Sequence, residues 1–333
     1  MKLSEIGEFG FIERFAHRFE DLLAPNAMGI GDDCAIIPAG EDHDLVLTTD
    51  MLVEDIHFIR NKISPLDLGH KALAVNLSDV AAMGARPIGS FLSIAIPEDI
   101  DVEYLDQLME GYHQLSERYQ LPLMGGDTTR SPKKLVLNIS VIGRLEKGKA
   151  KLRSAAKVGD IITVTNTLGD SAAGLQLIIK GVNDSEDTAW LINRHNCPEA
   201  DVDEGIWLAQ QSGVHAMMDV SDGIASDLKH LLKASQKGAE INLNKLPLSH
   251  QLNSVSETQQ FNPIELGTSG GEDYCLLLTI DETQFHSIST AFENKFKKKL
   301  FNIGSINNKA EHLEWFLNDK VTTMSKGGFN HFR

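Results

Sequence analysis

Cysteine and long apolar runs are both scarce in this chain of 333 residues. Cys34, Cys197 and Cys275 are isolated and form no CxxC pair, so a disulfide framework or a cysteine-based zinc site is excluded. No apolar run approaches the ~20 residues that a membrane-spanning helix needs. The N-terminal MKLSEIGEFGFIERF carries acids and lacks the apolar core of a signal peptide. We therefore expect a cytoplasmic protein.

Basic residues are also outnumbered. The chain has 31 lysines and arginines against 47 aspartates and glutamates, a formal net charge of −16. Nucleic acid and anionic membranes are disfavoured as partners, because few side chains are available to neutralise phosphates. Small phosphorylated ligands are still compatible with this balance, since carboxylates bind metal ions that in turn bind phosphate.

Several common catalytic signatures are missing. There is no GxxxxGK[ST] loop, and Gly29-Ile30-Gly31 is followed by Cys34 where a dinucleotide-binding fingerprint has its third glycine. The chain also lacks the HRD and DFG motifs of protein kinases, the HExxH motif of zinc enzymes and the GxSxG elbow of hydrolases. These classes are therefore excluded.

The sequence does contain alternating β-rich runs and amphipathic helices, which predict an α/β (α+β) fold. Strands are expected at 45–52, 90–96, 135–141, 161–164, 274–280 and 300–303. Helices are expected at 67–83, 103–119, 171–180, 199–211, 226–234 and 283–296. A basic stretch at 144–157 breaks the pattern, so we expect two domains, 1–147 and 148–333. Polar segments 182–188 and 253–260 are expected to be loops, and 125–130 a turn before a strand.

Acidic side chains stand beside glycine, serine or threonine at several of these turns. A single such acid is most simply a helix cap or a turn former. Asp79 is different, because it lies late in a helix, where the negative end of the helix dipole disfavours it. Asn76 precedes it by three residues, so the two side chains share one face of that helix.

Together these acids predict a magnesium site. Clustered carboxylates repel one another unless a cation offsets their charge. Magnesium prefers carboxylate oxygens, waters and substrate phosphates, and glycine lets the backbone approach phosphate closely. Several small acidic turns suit several ions along an extended polyphosphate.

The turns also resemble those of the thiamine-monophosphate kinase family, part of the aminoimidazole-ribonucleotide synthetase-like superfamily of ATP enzymes. The similar segments are GIGDDCA (29–35), TTDMLVEDIHF (48–58), KALAVNLSDVAAMGA (71–85), GGDTTR (125–130), GDSAAGL (169–175), DVSDGIASDL (219–228) and SGGEDY (269–274). They stand in the family's order and span nearly the whole chain. The basic stretch LRSAAKVGD and the C-terminal KGGFNHF depart mildly from the family's pattern.

This resemblance implies a two-domain aminoimidazole-ribonucleotide synthetase-like fold. Its N-terminal mixed sheet would form a barrel-like core in a homodimer, and its C-terminal α/β domain would complete the substrate site. The implied reaction converts ATP and thiamine monophosphate to ADP and thiamine diphosphate, with several Mg²⁺ ions as cofactors. No nucleic-acid or membrane partner is expected.

The resemblance also implies site residues. Metal ligands would be Asp33, Thr48, Thr49, Asp50, Asp79, Asp127, Asp219 and Asp222, with Asp50, Asp127 and Asp222 as catalytic carboxylates. ATP contacts would be Tyr112, Gly126, Arg153 and Ser221, and substrate contacts would be His57, Glu272 and Phe329. Structural alternatives stay open for four of them: a solvated Arg153, a packed His57 or Phe329, and a plain turn carboxylate at Glu272.

The implied acceptor would be a phosphate monoester, whose second pKa is ~6, so it is largely dianionic near neutral pH. Such a nucleophile needs no general base, and the difficulty is repulsion between two polyanions, which metal ions relieve. We therefore expect direct in-line transfer without a phosphoenzyme.

Three alternative functions are compatible with the same acidic residues. They are a sibling synthetase for selenophosphate, aminoimidazole ribonucleotide or formylglycinamidine, a sensor without turnover, and a metal-dependent phosphohydrolase. A selenophosphate synthetase would have a reactive Cys or selenocysteine with a Lys near its N-terminus, and this chain has no such pair there.

Overall fold

The computed structural model describes residues 3–324, whose strands form two mixed sheets. The strands of the first sheet are β1 (Ala35–Ala39), β2 (His43–Val53), β3 (Arg86–Ile96), β4 (Leu123–Arg130) and β5 (Val136–Glu146). Their spatial order is β1-β2-β5-β3-β4. All neighbours in this sheet are antiparallel except β3 and β4.

The second sheet has seven strands. They are β6 (Ile161–Val164), β7 (Val214–Asp219), β8 (Gly238–Asn242), β9 (Leu276–Ile280), β10 (Phe301–Asn307), β11 (Leu313–Leu317) and β12 (Lys320–Thr322). Their order is β12-β11-β8-β10-β6-β9-β7, with one parallel pair, β8 and β11.

The helices are divided between the two sheets. Those before residue 147 are α1 (Leu3–Glu20), α2 (Pro65–Ala82) and α3 (Val102–Tyr119). Those after it are α4 (Asp170–Lys180), α5 (Glu186–Asn196), α6 (Val202–Ala209), α7 (Ile224–Ser235), α8 (His250–Gln259), α9 (Pro263–Ser269) and α10 (Glu282–Phe296). Among the described residues, no helix combines the length and the apolar character needed to cross a bilayer.

One face of the first sheet is covered by helices and the other is open. Along β2 the even-numbered side chains, such as Val46 and Leu52, are buried, whereas odd-numbered Leu47 and Met51 are 37% and 52% exposed. This alternation is the period of two that a half-buried strand requires. The covered face packs against α2, and the open face carries exposed apolar side chains.

Helix α2 lies between the two halves of the molecule. Ser64 caps its N-terminus by accepting the Asp67 N–H at 3.0 Å, and Pro65 opens its first turn. Most of its side chains are buried, and one apolar cluster joins them to β7, β9 and α6 from the second half. At Gly205 in α6, any Cβ would lie 2.2 Å from the Ala81 carbonyl oxygen, so glycine is required for this close helix contact.

The fold class predicted from sequence is confirmed, as two halves each built on a mixed sheet flanked by helices. The barrel-like core and the boundary at 147/148 stay predictions, although the boundary falls between the last strand of one sheet and the first strand of the other.

Three local predictions are wrong. Residues 253–259 of the segment 253–260 belong to α8, a polar helix that Ser249 caps by accepting the Leu252 N–H. Segment 182–188 already contains the start of α5. GGDTTR at 125–130 is not a turn but most of β4, a strand paired on one side only and exposed along its length.

Candidate active site

The face that α2 presents to β2 carries the first part of the site. Thr48 donates a short hydrogen bond to Asp79 Oδ2, and the Asp50 backbone N–H donates to Asn76 Oδ1 at 3.1 Å. Asn76 and Asp79 therefore share a face of the helix, as their spacing predicted. Both Thr48 and Asp50 occupy even positions of β2, which explains why they point toward α2.

Three carboxylates from distant parts of the chain converge beside this face. Asp33 precedes β1, Asp79 lies on α2 and Asp219 ends β7. One oxygen of each lies within 4.8 Å of the others. Ser78 fixes Asp219 by donating to its Oδ2 at 2.7 Å. Both halves of the chain therefore contribute to one cluster, which we call the acidic cluster.

Arg153 lies against the acidic cluster. Its guanidinium donates to Asp33 Oδ1 at 2.7 Å from Nη2 and to Asp33 Oδ2 at 3.3 Å from Nε, and its backbone N–H donates to Asp32 Oδ2 at 3.1 Å. The Arg153 side chain is only 19% exposed. The alternative of a solvated linker arginine is therefore wrong. One guanidinium faces several carboxylates, so the cluster keeps a negative excess.

Burial, and then the charges of neighbouring carboxylates, raise the pKa values of the acids at this site. Burial, reinforced by Asp33, raises the pKa of Asp219 to about 7. Burial also raises the pKa of Asp50 to about 6, with a further contribution from Glu8, and raises that of Asp79 well above its usual value. Buried carboxylates with raised pKa values must take up protons or a cation. The hard oxygen donors of carboxylates, Thr48 and Ser78 fit Mg²⁺.

A cavity of about 750 Å³ opens between the two halves beside the acidic cluster. Asp50, Asp79, Asp219 and Arg153 form part of its wall, and other lining residues are Ser221, Asp222, His57 and Glu272. Some of the predicted metal, nucleotide and substrate residues, drawn from both halves, thus line one cavity. Its volume is in the range of small-molecule sites.

Two predicted substrate residues lie in the wall of this cavity. His57 accepts the Val53 backbone N–H on Nδ1 at 3.0 Å, which orients its ring. Glu272 is held by Lys71, whose Nζ donates to Oε2 at 3.0 Å. Glu272 also has a positive φ of 63°, an uncommon backbone conformation for a non-glycine residue that is often found at functional sites.

Other predicted residues lie away from the cavity. Thr49 points to the open face of the first sheet, where Ser140 donates to its Oγ1 at 3.0 Å. Asp127 pairs in register with Ser93, and the row continues through Asn138 to Met51 on β2. Three strand spacings separate Asp127 from β2, about 14 Å. Within one protomer, therefore, neither side chain joins the acidic cluster.

Two further predicted residues also lie outside the cavity. Gly126 lies on β4, where a Cβ would meet the Leu92 carbonyl oxygen at 1.8 Å. Tyr112 is buried in the core, and its hydroxyl donates to Ser90 Oγ at 2.8 Å, so the geometry of one protomer gives no support to an ATP contact by this residue. Phe329 lies outside the described residues.

Several residues of the cavity were not predicted from sequence. Lys71, His195 and Asp227 line it, while beside it Ser78 donates to Asp219 and Asp32 accepts from the Arg153 backbone. Lys71 had a usable signal, because it precedes Val75 and Asp79 by four and eight residues, which places all three on one helix stripe. Asp227 is 2% exposed, and its Oδ2 has no hydrogen-bond partner among the described residues.

Family models match most of the chain. The model described as AIR synthase related protein, N-terminal domain, matches residues 31–145, and the corresponding C-terminal domain model matches residues 157–310.

Curated relatives match along almost the whole length. The thiamine-monophosphate kinase of Buchnera aphidicola (subsp. Acyrthosiphon pisum) is 40% identical over 330 residues, covering 98% of both chains. That of Escherichia coli K12 is 38% identical over 328 residues, again covering 98% of both. The solved structure described as AaThiL complexed with AMPPCP and TMP superimposes with a TM-score of 0.87 at 33% identity and covers 99% of each chain. Thiamine monophosphate kinase from Aquifex aeolicus gives a TM-score of 0.82 at 33% identity and covers 97% of this chain and 99% of its own.

Proposed function

Since the chain belongs to the thiamine-monophosphate kinase family of AIR synthase related proteins, we propose that the cavity between its halves is the active site of this kinase. The reaction is the ATP-dependent phosphorylation of thiamine monophosphate, which yields thiamine diphosphate and ADP. The observation that carries the assignment of the site is the convergence of Asp33, Asp79 and Asp219 within 4.8 Å beside this cavity, whose wall includes Asp79 and Asp219.

The acidic cluster is the proposed magnesium site. Asp33, Asp79 and Asp219 would hold the metal, with the Thr48 hydroxyl beside them and Asp50 in the adjoining wall. Bound Mg²⁺ neutralises phosphate oxygens and so lets two anionic substrates approach each other. The raised pKa values of Asp219 and Asp50 support this proposal, because a divalent cation replaces the protons that these carboxyls would otherwise keep.

The nucleotide and substrate ends of the cavity are proposed from its lining. Arg153 and Ser221 would contact ATP, with Arg153 supplying charge-assisted donors to phosphate oxygens. His57 and Glu272 would contact thiamine monophosphate, Glu272 through the amino group of the aminopyrimidine. Both pairs line the same cavity of about 750 Å³, which the two substrates would share.

Transfer is proposed to be direct. The acceptor phosphate is largely dianionic near neutral pH, so no side chain has to remove a proton. The work of the protein is to align the acceptor with the γ-phosphorus and to hold the developing charge. Inversion of configuration at a chiral γ-phosphorus is the expected result, and net retention would contradict direct transfer.

A homodimer is proposed to complete the site. Thr49 and Asp127 share the open face of the first sheet with exposed Leu47, Met51 and Phe91, an apolar surface that a second copy of the chain would cover. Pairing of two open faces would bring Asp127 of one protomer toward the β2 residues of the other. The dimer is therefore proposed to supply what one protomer lacks.

Subunit complementation tests this arrangement. Asp50→Asn and Asp127→Asn chains, each inactive alone, are mixed after partial denaturation and allowed to reassociate. If the two carboxylates of one site come from different protomers, hybrid dimers contain one intact site, and about a quarter of wild-type activity returns. Absence of recovery in a mixture that demonstrably forms hybrids would contradict a shared site.

The activity itself is tested by one incubation. The protein is mixed with ATP, Mg²⁺ and thiamine monophosphate, and thiamine diphosphate is separated from free phosphate by chromatography. Thiamine diphosphate formed in equal amount to ADP is the expected result. Phosphate release without an acceptor would indicate a phosphohydrolase, and nucleotide binding without consumption would indicate a sensor.

We also propose the cytoplasm as the location of the protein. All three cysteines are free thiols, two of them buried, as is usual in a reducing compartment. Fractionation of cells that express the chain would test this location.

A further inference from the structure

A buried polar network surrounds Glu272. Lys71 is almost completely buried, with a side chain 1% exposed, although it carries a charge. Its Nζ donates to Glu272 Oε2 at 3.0 Å and to the His195 carbonyl oxygen at 3.0 Å. A buried lysine is costly unless it is paired and hydrogen-bonded. Both of these contacts satisfy that requirement, and both are with residues of the cavity wall.

His195 is the third member of the network. Its Nδ1 lies 3.1 Å from Glu272 Oε2 and 3.0 Å from Ser171 Oγ, and its Nε2 lies 3.5 Å from Lys71 Nζ. Burial and the neighbouring Lys71 lower the pKa of His195 to about 3, so the ring is neutral. Nε2 then faces the ammonium of Lys71, and Nδ1 forms its hydrogen bond with Ser171 Oγ while the ring lies against Glu272 Oε2. The network thus contains one positive and one negative charge.

The backbone fixes Glu272 from the other side. The Glu272 N–H donates to the Ser221 carbonyl oxygen at 2.7 Å, and the Tyr274 N–H donates to the Val220 carbonyl oxygen at 2.9 Å. Glu272 and Tyr274 have φ values of 63° and 49°, so the loop is held in a conformation that costs free energy. Such strain is maintained only where surrounding contacts determine the conformation.

The two oxygens of the Glu272 carboxylate therefore have different surroundings. Lys71 and His195 both contact Oε2, whereas Oε1 has no hydrogen bond among the described residues. The side chain is 25% exposed and lines the cavity. Oε1 is therefore the acceptor presented to a ligand, and its direction is set by contacts made behind it.

We propose that Lys71 and His195 are positioning residues, which orient an ionised Glu272 so that Oε1 accepts a hydrogen bond from an amino group of the substrate. The inference rests on the proposed function, in which that amino group belongs to the aminopyrimidine of thiamine monophosphate. Because burial would by itself favour the neutral form of Glu272, the ammonium of Lys71 is what keeps the carboxylate charged.

This arrangement predicts selectivity for an amino-substituted ring. An analogue of thiamine monophosphate with an oxo group in place of the amino group would present an acceptor to an ionised carboxylate. Sites that are built to hydrogen-bond one group reject an analogue that lacks it, because buried polar atoms are left unpaired. Selectivity between substrate and oxo analogue is therefore a readout of how Glu272 is held, and not of stability.

The experiment compares Lys71→Met, Glu272→Gln and the double variant. Lys71→Met and Glu272→Gln are each expected to raise KM for thiamine monophosphate roughly 10- to 100-fold, the effect of losing a hydrogen bond to a charged group. Both are expected to leave KM for ATP within about twofold and to remove most of the discrimination against the oxo analogue. Added to Glu272→Gln, Lys71→Met should change KM by less than about twofold, since the carboxylate on which it acts is already neutral.

Lys298→Met is the matched control. Lys298 Nζ also pairs with buried carboxylates, at 2.8 Å from Asp201 and 2.7 Å from Glu204, but lies outside the cavity lining. It should lower thermal stability without changing either KM or the discrimination. If Lys71→Met alone does not fold, the comparison of the double variant with Glu272→Gln still decides, because both carry a neutral residue at 272.

Three results would overturn the inference: effects of Lys71 and Glu272 that multiply in the double variant, an equal rise in KM for ATP, or unchanged discrimination in Lys71→Met. In each of these cases wild-type turnover of thiamine monophosphate is normal, so the proposed function stands. A wild-type protein that forms no thiamine diphosphate would refute the proposed function and this inference together.

Discussion

Substitution of Asp219 offers a direct test of the acidic cluster. The substitution Asp219→Asn removes one of three carboxylates that approach within 4.8 Å, and it keeps the size of the side chain and an oxygen that can accept from Ser78. In the absence of metal, the variant should be more stable than the wild type, and the difference should depend on pH. In the presence of metal, the order should reverse.

The magnitude follows from the pKa of this carboxyl. Burial, and then the charge of Asp33, raises the pKa of Asp219 from 3.8 to about 7. In the unfolded chain the proton is lost near pH 4, whereas the folded protein without metal keeps it until near pH 7. The unfolded state therefore binds fewer protons in this interval, and the free energy of unfolding falls as the pH rises. At about 1.4 kcal/mol for each pH unit, the raised pKa of Asp219 lowers the free energy of unfolding by about 4 kcal/mol between pH 4 and pH 7.

Urea unfolding at pH 4, 5.5 and 7, with EDTA or with excess Mg²⁺, measures the effect. In EDTA, the free energy of unfolding of Asp219→Asn should increase by about 4 kcal/mol relative to that of the wild type as the pH rises from 4 to 7. Magnesium should stabilise the wild type increasingly above pH 6, because protons compete with the metal, and should stabilise the variant less. Asp44→Asn is the control, since Asp44 is a buried carboxylate that accepts the Gly148 N–H at 2.9 Å outside the cluster. A stability difference that does not change with pH, or equal stabilisation of both proteins by Mg²⁺, would refute the reasoning.

Four other substitutions probe the rest of the site and the fold. Asp50→Asn or Asp127→Asn should lower kcat by about 100-fold or more with an unchanged circular dichroism spectrum, and near-normal turnover of both at saturating Mg²⁺ would remove them from the metal set. Arg153→Met breaks a buried ion pair with Asp33 and should cost about 3 kcal/mol of unfolding free energy in urea titrations, together with a higher KM for ATP; an unchanged KM would contradict its nucleotide contact. Ser249→Ala removes the cap of α8 and the hydrogen bond that Ser249 Oγ donates to buried Asp170, and it should cost about 2–3 kcal/mol with normal kinetics; an unchanged urea midpoint would show that neither contact contributes.

Helices and strands whose apolar residues recur at a regular spacing were predictable from the sequence. The apolar stripe of α3 predicted 103–119, and the helix runs over Val102–Tyr119. Strand β6 was predicted at the bounds that the structure has, Ile161–Val164. Helix α8 was not, because only three of its side chains are buried and its polar composition resembles a loop. In β4 the two glycines of GGDTTR indicated a turn, but pairing with β3 keeps them extended.

The acids of the site were predictable because clustered charge requires an explanation that local structure does not supply. Asp79 was the strongest case, since it had no capping duty, and it lies in the cluster. Lys71 was overlooked because a lysine in a helix is ordinarily a solvated side chain, and only the tertiary structure reveals that it is buried against Glu272. The face on which Thr49 lies depends on the register of β2, which residue types alone did not determine.

Helix α2 makes the two halves mutually dependent for folding. By sequence it belongs to the first half, yet its surface is a packing partner for β7, β9 and α6 of the second. A fragment cut after residue 147 would expose an apolar helix flank to water, and the complementary fragment would lose the cover of its inner sheet edge. The two pieces are thus unsuitable for separate expression, but they form a natural pair for fragment complementation, in which reassembly would restore a helix, a sheet and a catalytic centre in one step.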